Sequence, residues 1–167
     1  MSGLVVACSQ VKGPILSREL NSRYTDEQPA LSGNGRFVAF VSNRDGKRQI
    51  LVYDLQQRRF LELPRLNWRD AIAESPSLSY NARYLVYVAS DRGRPEVELY
   101  DRVTGTTDML TMGYRGWVRN PSISPDGRFI VFETDRRGQW DIEVLDRGPL
   151  VELDIPDGPL GNYDLAD

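Results

Sequence analysis

The stretch from Ser122 to Gly138, SISPDGRFIVFETDRRG, gathers more reactive side chains than any other part of the chain. Asp126, Glu133 and Asp135 alternate with Arg128, Arg136 and Arg137. Carboxylates beside guanidinium groups serve in carboxylate-pair hydrolysis, in ligand-binding loops, and as plain turn caps. The rest of the composition narrows the chemistry. The sequence contains no histidine, which removes Ser-His-Asp and Cys-His catalysis, His-ligated metals and His-based pH sensing. Its one cysteine, Cys8, excludes an internal disulfide and a Cys-rich zinc site. A net charge of −3, with basic residues scattered rather than bunched, argues against a nucleic-acid partner.

The elements that carry these residues are repeated. PALSGNGRFVAFVSNRDGKRQILVYDL from Pro29, PSLSYNARYLVYVASDRGRPEVELYDR from Pro76 and PSISPDGRFIVFETDRRGQWDIEVLDR from Pro121 align over their whole length. Arg36, Arg83 and Arg128 stand in one column, and Asp54, Asp101 and Asp146 in another. Each copy reads as strands. Phe37–Val41, Tyr84–Val88 and Phe129–Phe132 are dense in aromatic and β-branched residues, which suit a pleated, buried surface. Second runs follow at Ile50–Tyr53, Val97–Tyr100 and Ile142–Leu145. Short first strands are expected at Ala30–Ser32, Ser77–Ser79 and Ser122–Ser124, and fourth strands at Phe60–Leu63, Thr107–Thr111 and Leu150–Leu153. Four short antiparallel strands recurring about every 45 residues is the period of a β-propeller blade. The fold class is therefore all-β, with blades of four antiparallel strands and three blades per chain.

In this frame the reactive-looking residues become turn residues. Ser124-Pro125-Asp126-Gly127 and Gly33-Asn34-Gly35 build the first hairpin, with glycine at the positive-φ place. Ala82 replaces that glycine in the second copy, at a cost of about 1 kcal/mol if the geometry is kept. Gly46, Gly93 and Gly138 mark the next hairpin, where Asn43, Ser90 and Asp135 are placed to accept backbone N–H groups. Asp54, Asp101 and Asp146 open a third turn.

Pro-Ser-Ile-Ser-Pro-Asp-Gly-Arg followed by an aromatic-rich strand and Asp-Arg-Arg-Gly resembles the WD40-like repeat of the TolB propeller, the periplasmic component of the Tol–Pal system. The same repeat occurs in propellers of prolyl-oligopeptidase-type peptidases. The resemblance covers residues 28 to about 154, as repeats of about 28–74, 75–119 and 120–160. It implies a non-enzymatic binding module acting on a protein partner in the bacterial cell envelope. The other readings it leaves open are an accessory or gating propeller of a hydrolase system and a fragment of a larger propeller. The peptidases' catalytic domain needs a Gly-x-Ser-x-Gly elbow and a histidine, and this sequence has neither. TolB proteins carry six blades, so three here are expected to form half of a six-bladed ring, completed by a homodimer. The resemblance also allows a cation such as calcium on the axis, near Asp26, Glu27 and Glu74; no other cofactor is expected.

Loops between blades are the expected contact surface, with Trp68, Arg69, Tyr114, Arg115 and Trp117 as candidate binding residues. The alternative for Trp68 and Trp117 is packing between blades. Trp140 beside a hairpin has no aromatic equivalent in the other copies. Residues 1–27 read as a tether. Leu4-Val5-Val6-Ala7-Cys8 has the form of a bacterial lipobox without its basic and apolar leader, making Cys8 a candidate lipidation site. Lipidation there is the only membrane attachment expected and would tether the chain to the outer membrane; the expected location is the bacterial periplasm or that membrane, with the cytoplasm as the alternative. Gly13–Leu20 resembles the fourth strand of a blade, competing with Leu150–Leu153 for one sheet edge.

Overall fold

The computed structural model describes residues 19–67, 72–90 and 93–157. Eleven strands and no helix occur among them, in three antiparallel sheets. The first sheet orders β1 (Asp26–Leu31), β2 (Phe37–Ser42), β3 (Gln49–Asp54) and β4 (Arg59–Phe60). The second orders β5 (Ala73–Leu78), β6 (Tyr84–Ala89), β7 (Glu96–Asp101) and β8 (Thr106–Met109). The third has only β9 (Val118–Ile123), β10 (Phe129–Thr134) and β11 (Asp141–Asp146).

The innermost strands start well before the expected Ala30, Ser77 and Ser122. Each breaks register at a bulge just ahead of or at its proline, as where Gln28 and Pro29 together oppose Phe40. The residue before each proline is left-handed, with φ of 55° at Gln28, 52° at Ser75 and 50° at Asn120. A bulge leaves one residue out of the ladder, and proline, which has no N–H to donate, suits that place. The repeated proline thus marks a bend in the strand rather than its start.

Sheets pack face to face. Phe37, Ala39, Val41, Ile50 and Val52 of the first meet Leu78, Leu85, Tyr87 and Tyr100 of the second. Tyr84, Val86, Val97 and Leu99 then meet Ile123, Ile130 and Phe132 of the third. Hydrophobic faces on both sides of a sheet explain why the central strands do not alternate cleanly between apolar and polar.

Polar staples close the ends. In each sheet an arginine following the first turn pairs with the aspartate at the end of the third strand: Arg36–Asp54 at 2.6 Å, Arg83–Asp101 at 3.5 Å and Arg128–Asp146 at 2.9 Å. The same aspartates cap the next turn, accepting the N–H of Gln56 and Gln57, of Val103 and of Gly148. Burial alone would raise the Asp54 carboxyl, but hydrogen bonds from Arg36 and those backbone N–H groups hold it below the usual carboxylate range. Asn43 and Asp135 accept N–H groups as expected, but from the chain entering the innermost strand, at Thr25 and Trp117.

The expected fourth strand at Leu150–Leu153 does not form, and this corrects the four-strand pattern for the third sheet. The chain turns across the end of the second sheet instead. Val151 packs on the second core, Arg83 reaches Glu152 at 2.7 Å, and Tyr84 donates to the Glu152 carbonyl. Asp154, 2% exposed, accepts from the Ser79 hydroxyl and the Arg83 N–H, and also from the Asn81 N–H. In the first and third sheets Asn34 and Asp126 make the equivalent bonds within their own turns. A carboxylate 73 residues from Asn81 therefore caps this turn, and the Asn81 side chain donates to that carboxylate and to the Ile155 carbonyl instead of capping the turn itself.

Ala82 keeps the left-handed geometry, with φ of 54°, and its methyl lies in the first core. Burial of one methyl, worth about 0.8 kcal/mol, offsets most of the conformational cost. Gly127 is different: a Cβ there would lie 2.3 Å from the Tyr84 ring. A methyl at Gly35 would meet nothing within 4 Å. Gly127→Ala should therefore cost about 2–4 kcal/mol through the clash as well as the positive φ, whereas Gly35→Ala should cost about 1 kcal/mol. Urea denaturation of both variants tests the order; equal losses would remove the ring contact as the reason. Asp54 gives a pH prediction. Its folded-state pKa is depressed, so its contribution is complete above the unfolded value near 4 and is lost as pH falls through the folded value. Melting curves of the wild type should fall below about pH 4, and Asp54→Asn should flatten that fall while lowering stability at pH 7 by about 1–3 kcal/mol.

Candidate functional site

One end of the sheets gathers the second hairpins and the loop from β8 to β9. That loop is fixed by its backbone. Thr111, fully buried, accepts from Val97 N–H and donates to the Glu96 carboxylate. Arg94 donates to the Gly116 carbonyl at 2.6 Å, and Asp135 accepts the Trp117 N–H at 2.6 Å. Gly116 is forced by crowding, since a Cβ would lie 2.4 Å from the Arg136 nitrogen.

Among the residues named from sequence, the structure separates two roles. Trp117 is 59% exposed, so it does not tuck between sheets. Tyr114 is half-buried, with its ring 5.9 Å from Phe132 and Arg136 above it. Burial, then the Glu143 carboxylate, pushes its phenol pKa up. Arg115 is exposed between them. Trp68 and Arg69 lie outside the described residues, as do Cys8 and the segment 13–18.

Two surface residues were not singled out from the sequence as belonging to this rim. Met112 is 70% exposed at the loop's tip. Arg119 stacks on Trp140, 3.8 Å from the ring centre, and pairs with Glu133 at 2.6 Å. Glu133 also accepts from Asn120, and Asn120 and Arg119 hold its carboxyl below the usual range. The signal lay in the repeat: the position occupied by Glu27 and Glu74 in the first two copies is Arg119 in the third.

The axial acids are engaged by cations. Arg48 bridges Glu27 and Glu74, reaching the latter at 3.3 Å, and Arg44 holds Asp26 at 2.9 Å. No group of three or more His, Cys, Asp or Glu side chains suited to a metal ion occurs among the described residues. Chemically, the rim offers exposed indole and thioether surface with arginines beside it.

The chain resembles TolB from Acinetobacter baumannii at 25% identity and a TM-score of 0.61, over 77% of this chain and 31% of that one. A putative TolB from Agrobacterium tumefaciens is 21% identical with a TM-score of 0.56, over 72% and 43% of the two chains. The β-propeller domain of the Trilobed protease from Pyrococcus furiosus shares the fold at 17% identity and a TM-score of 0.53, over 74% and 39%. The chain thus spans less than half the length of each of these proteins. No curated protein matches it significantly. The family model described as the TolB beta propeller domain matches residues 9–157. With three stacked antiparallel sheets and that match over most of its length, the chain belongs to the TolB β-propeller domain family.

Proposed function

We propose that this chain is a non-enzymatic protein-binding module of the bacterial cell envelope, acting in the periplasm, with the β8–β9 loop as its contact surface. The observation that carries the reading is Trp117, an exposed indole on a loop whose backbone is already fixed by Thr111, Gly116 and Asp135. A rigid aromatic anchor loses little conformational entropy when a partner covers it. Catalysis finds no support in the acids, because the repeated aspartates cap turns and pair with arginines. The envelope location rests on family membership and on the lipobox-like run ending at Cys8. The substrates of a hydrolase are not needed to explain any side chain at the rim.

Photo-crosslinking in bacteria tests the proposal. A crosslinker replacing Trp117 should capture a discrete envelope protein that the same group at Val103, exposed on the opposite end, does not. Trp117→Ala should weaken that partner at least about ten-fold while leaving the melting temperature within about 2 °C. Equal capture at both positions, or turnover of an esterase, glycosidase or peptidase substrate by the purified chain, would overturn it.

A further inference from the structure

The chain buries the same pair of surfaces twice and, among the described residues, leaves one example of each partly or wholly uncovered. At both internal junctions, the face bearing Phe37 or Tyr84 is covered by the face bearing Leu78 or Ile123 of the next sheet. By register, the third sheet presents the first kind of face again: Phe129, Val131, Ile142 and Val144 lie on one side, opposite Ile130 and Phe132. None of the described residues covers it, for Phe129 is 40%, Ile142 67% and Val144 65% exposed. The first sheet presents the second kind. Leu31, beside Val38, is 61% exposed, where its equivalents Leu78 and Ile123 are 6% and 7%. Phe40 and Tyr53 farther along that face are already packed against Phe60, so the open part is the Leu31 end.

Finer features of the internal junctions also have their halves at these two ends. Arg102 lies on the Phe37 ring at 4.8 Å and Arg147 on the Tyr84 ring at 4.1 Å. The first sheet has Leu55 at that position, 42% exposed, and the ring it would cover is Phe129. Ile123 donates its N–H to Ser77 Oγ across the second junction at 3.2 Å. Leu31 and Ser122 hold the equivalent places. Glu133 on the third-sheet face is already matched by Arg119 and Asn120, so covering it buries no unpaired charge.

We propose that these two faces bind each other between two copies of the chain, the third sheet of each copy covering the first sheet of the other. The occupant is a second copy because the surface that fits each end is the one the chain itself carries at the other end. Two copies of three sheets make six, within the four to eight blades of natural propellers, and the two-fold arrangement leaves neither face open. The proposal does not depend on Trp117 or on any other partner.

Analytical ultracentrifugation of the 167-residue chain at roughly 10 µM, where a stable protein interface holds, should give a mass of twice 19.0 kDa. Val144→Asp and Leu31→Asp alter exposed positions at the two ends, so the sheets should fold with unchanged circular dichroism. Each should weaken the dimer at least about thirty-fold, by burying a carboxylate in the junction. Leu55→Arg restores the internal arginine–ring pairing and should tighten the dimer about two- to five-fold, a gain lost when Phe129→Leu is added. A monomer at that concentration, a ladder of higher oligomers, a dimer indifferent to Val144→Asp, or one weakened by Leu55→Arg overturns the proposal.

Discussion

Every sheet in this molecule has two apolar faces, and that constraint organises everything else. A sheet with one apolar face needs a single neighbour, while one with two must be sandwiched. The second sheet is the completed case: Tyr84, Val86, Val97 and Leu99 are buried on one side, Leu85, Tyr87 and Tyr100 on the other. The turns, caps and ion pairs serve to hold successive sheets at the spacing this burial requires. Gly127 shows how tight that spacing is, since its α-carbon lies against the Tyr84 ring with no room for a methyl.

Charge is managed within the same frame. Arginines run through both junctions, lying on rings with their heads turned to carboxylates, as Arg83 does between Tyr84, Asp101 and Glu152. Burial and nearby Arg36 work to lower the Arg102 pKa, while Asp154 works to raise it, and the net effect is downward. Arginine keeps its charge under such a shift, which suits it to a junction where lysine would be more easily neutralised. The three copies differ most at the rim and along the innermost strands, where Glu27 and Glu74 give way to Arg119. Those differences, rather than the repeated acids, give the two ends of the molecule their chemical character.

Much of the fold was legible because the repeat is local. Strand identity followed from aromatic and β-branched runs, and the turns from Pro, Asp, Asn and Gly at fixed offsets. The early start of the innermost strands is not legible, because a left-handed residue before proline contradicts the usual extended preference and is imposed by the bulge. The candidate rim was only partly legible. Trp117 could be named from the sequence, but whether it faced solvent or a neighbouring sheet depended on the path of the loop fixed by Asp135 and Arg94.

The sequence by itself determined an all-β chain of three repeats whose acids and arginines sit at structural positions, since spacing along the chain is enough to set strand and turn. It could not show that residues 151–155 leave the third sheet to cap the second. Asp154 and Asn81 are 73 residues apart, and only folding reveals that the second turn lacks its own cap and that a carboxylate reaches it. Tertiary structure also decided which apolar faces are covered. Phe129 and Tyr84 occupy the same place in their repeats, yet one is exposed and the other buried, because among the described residues only Tyr84 has a sheet stacked upon it.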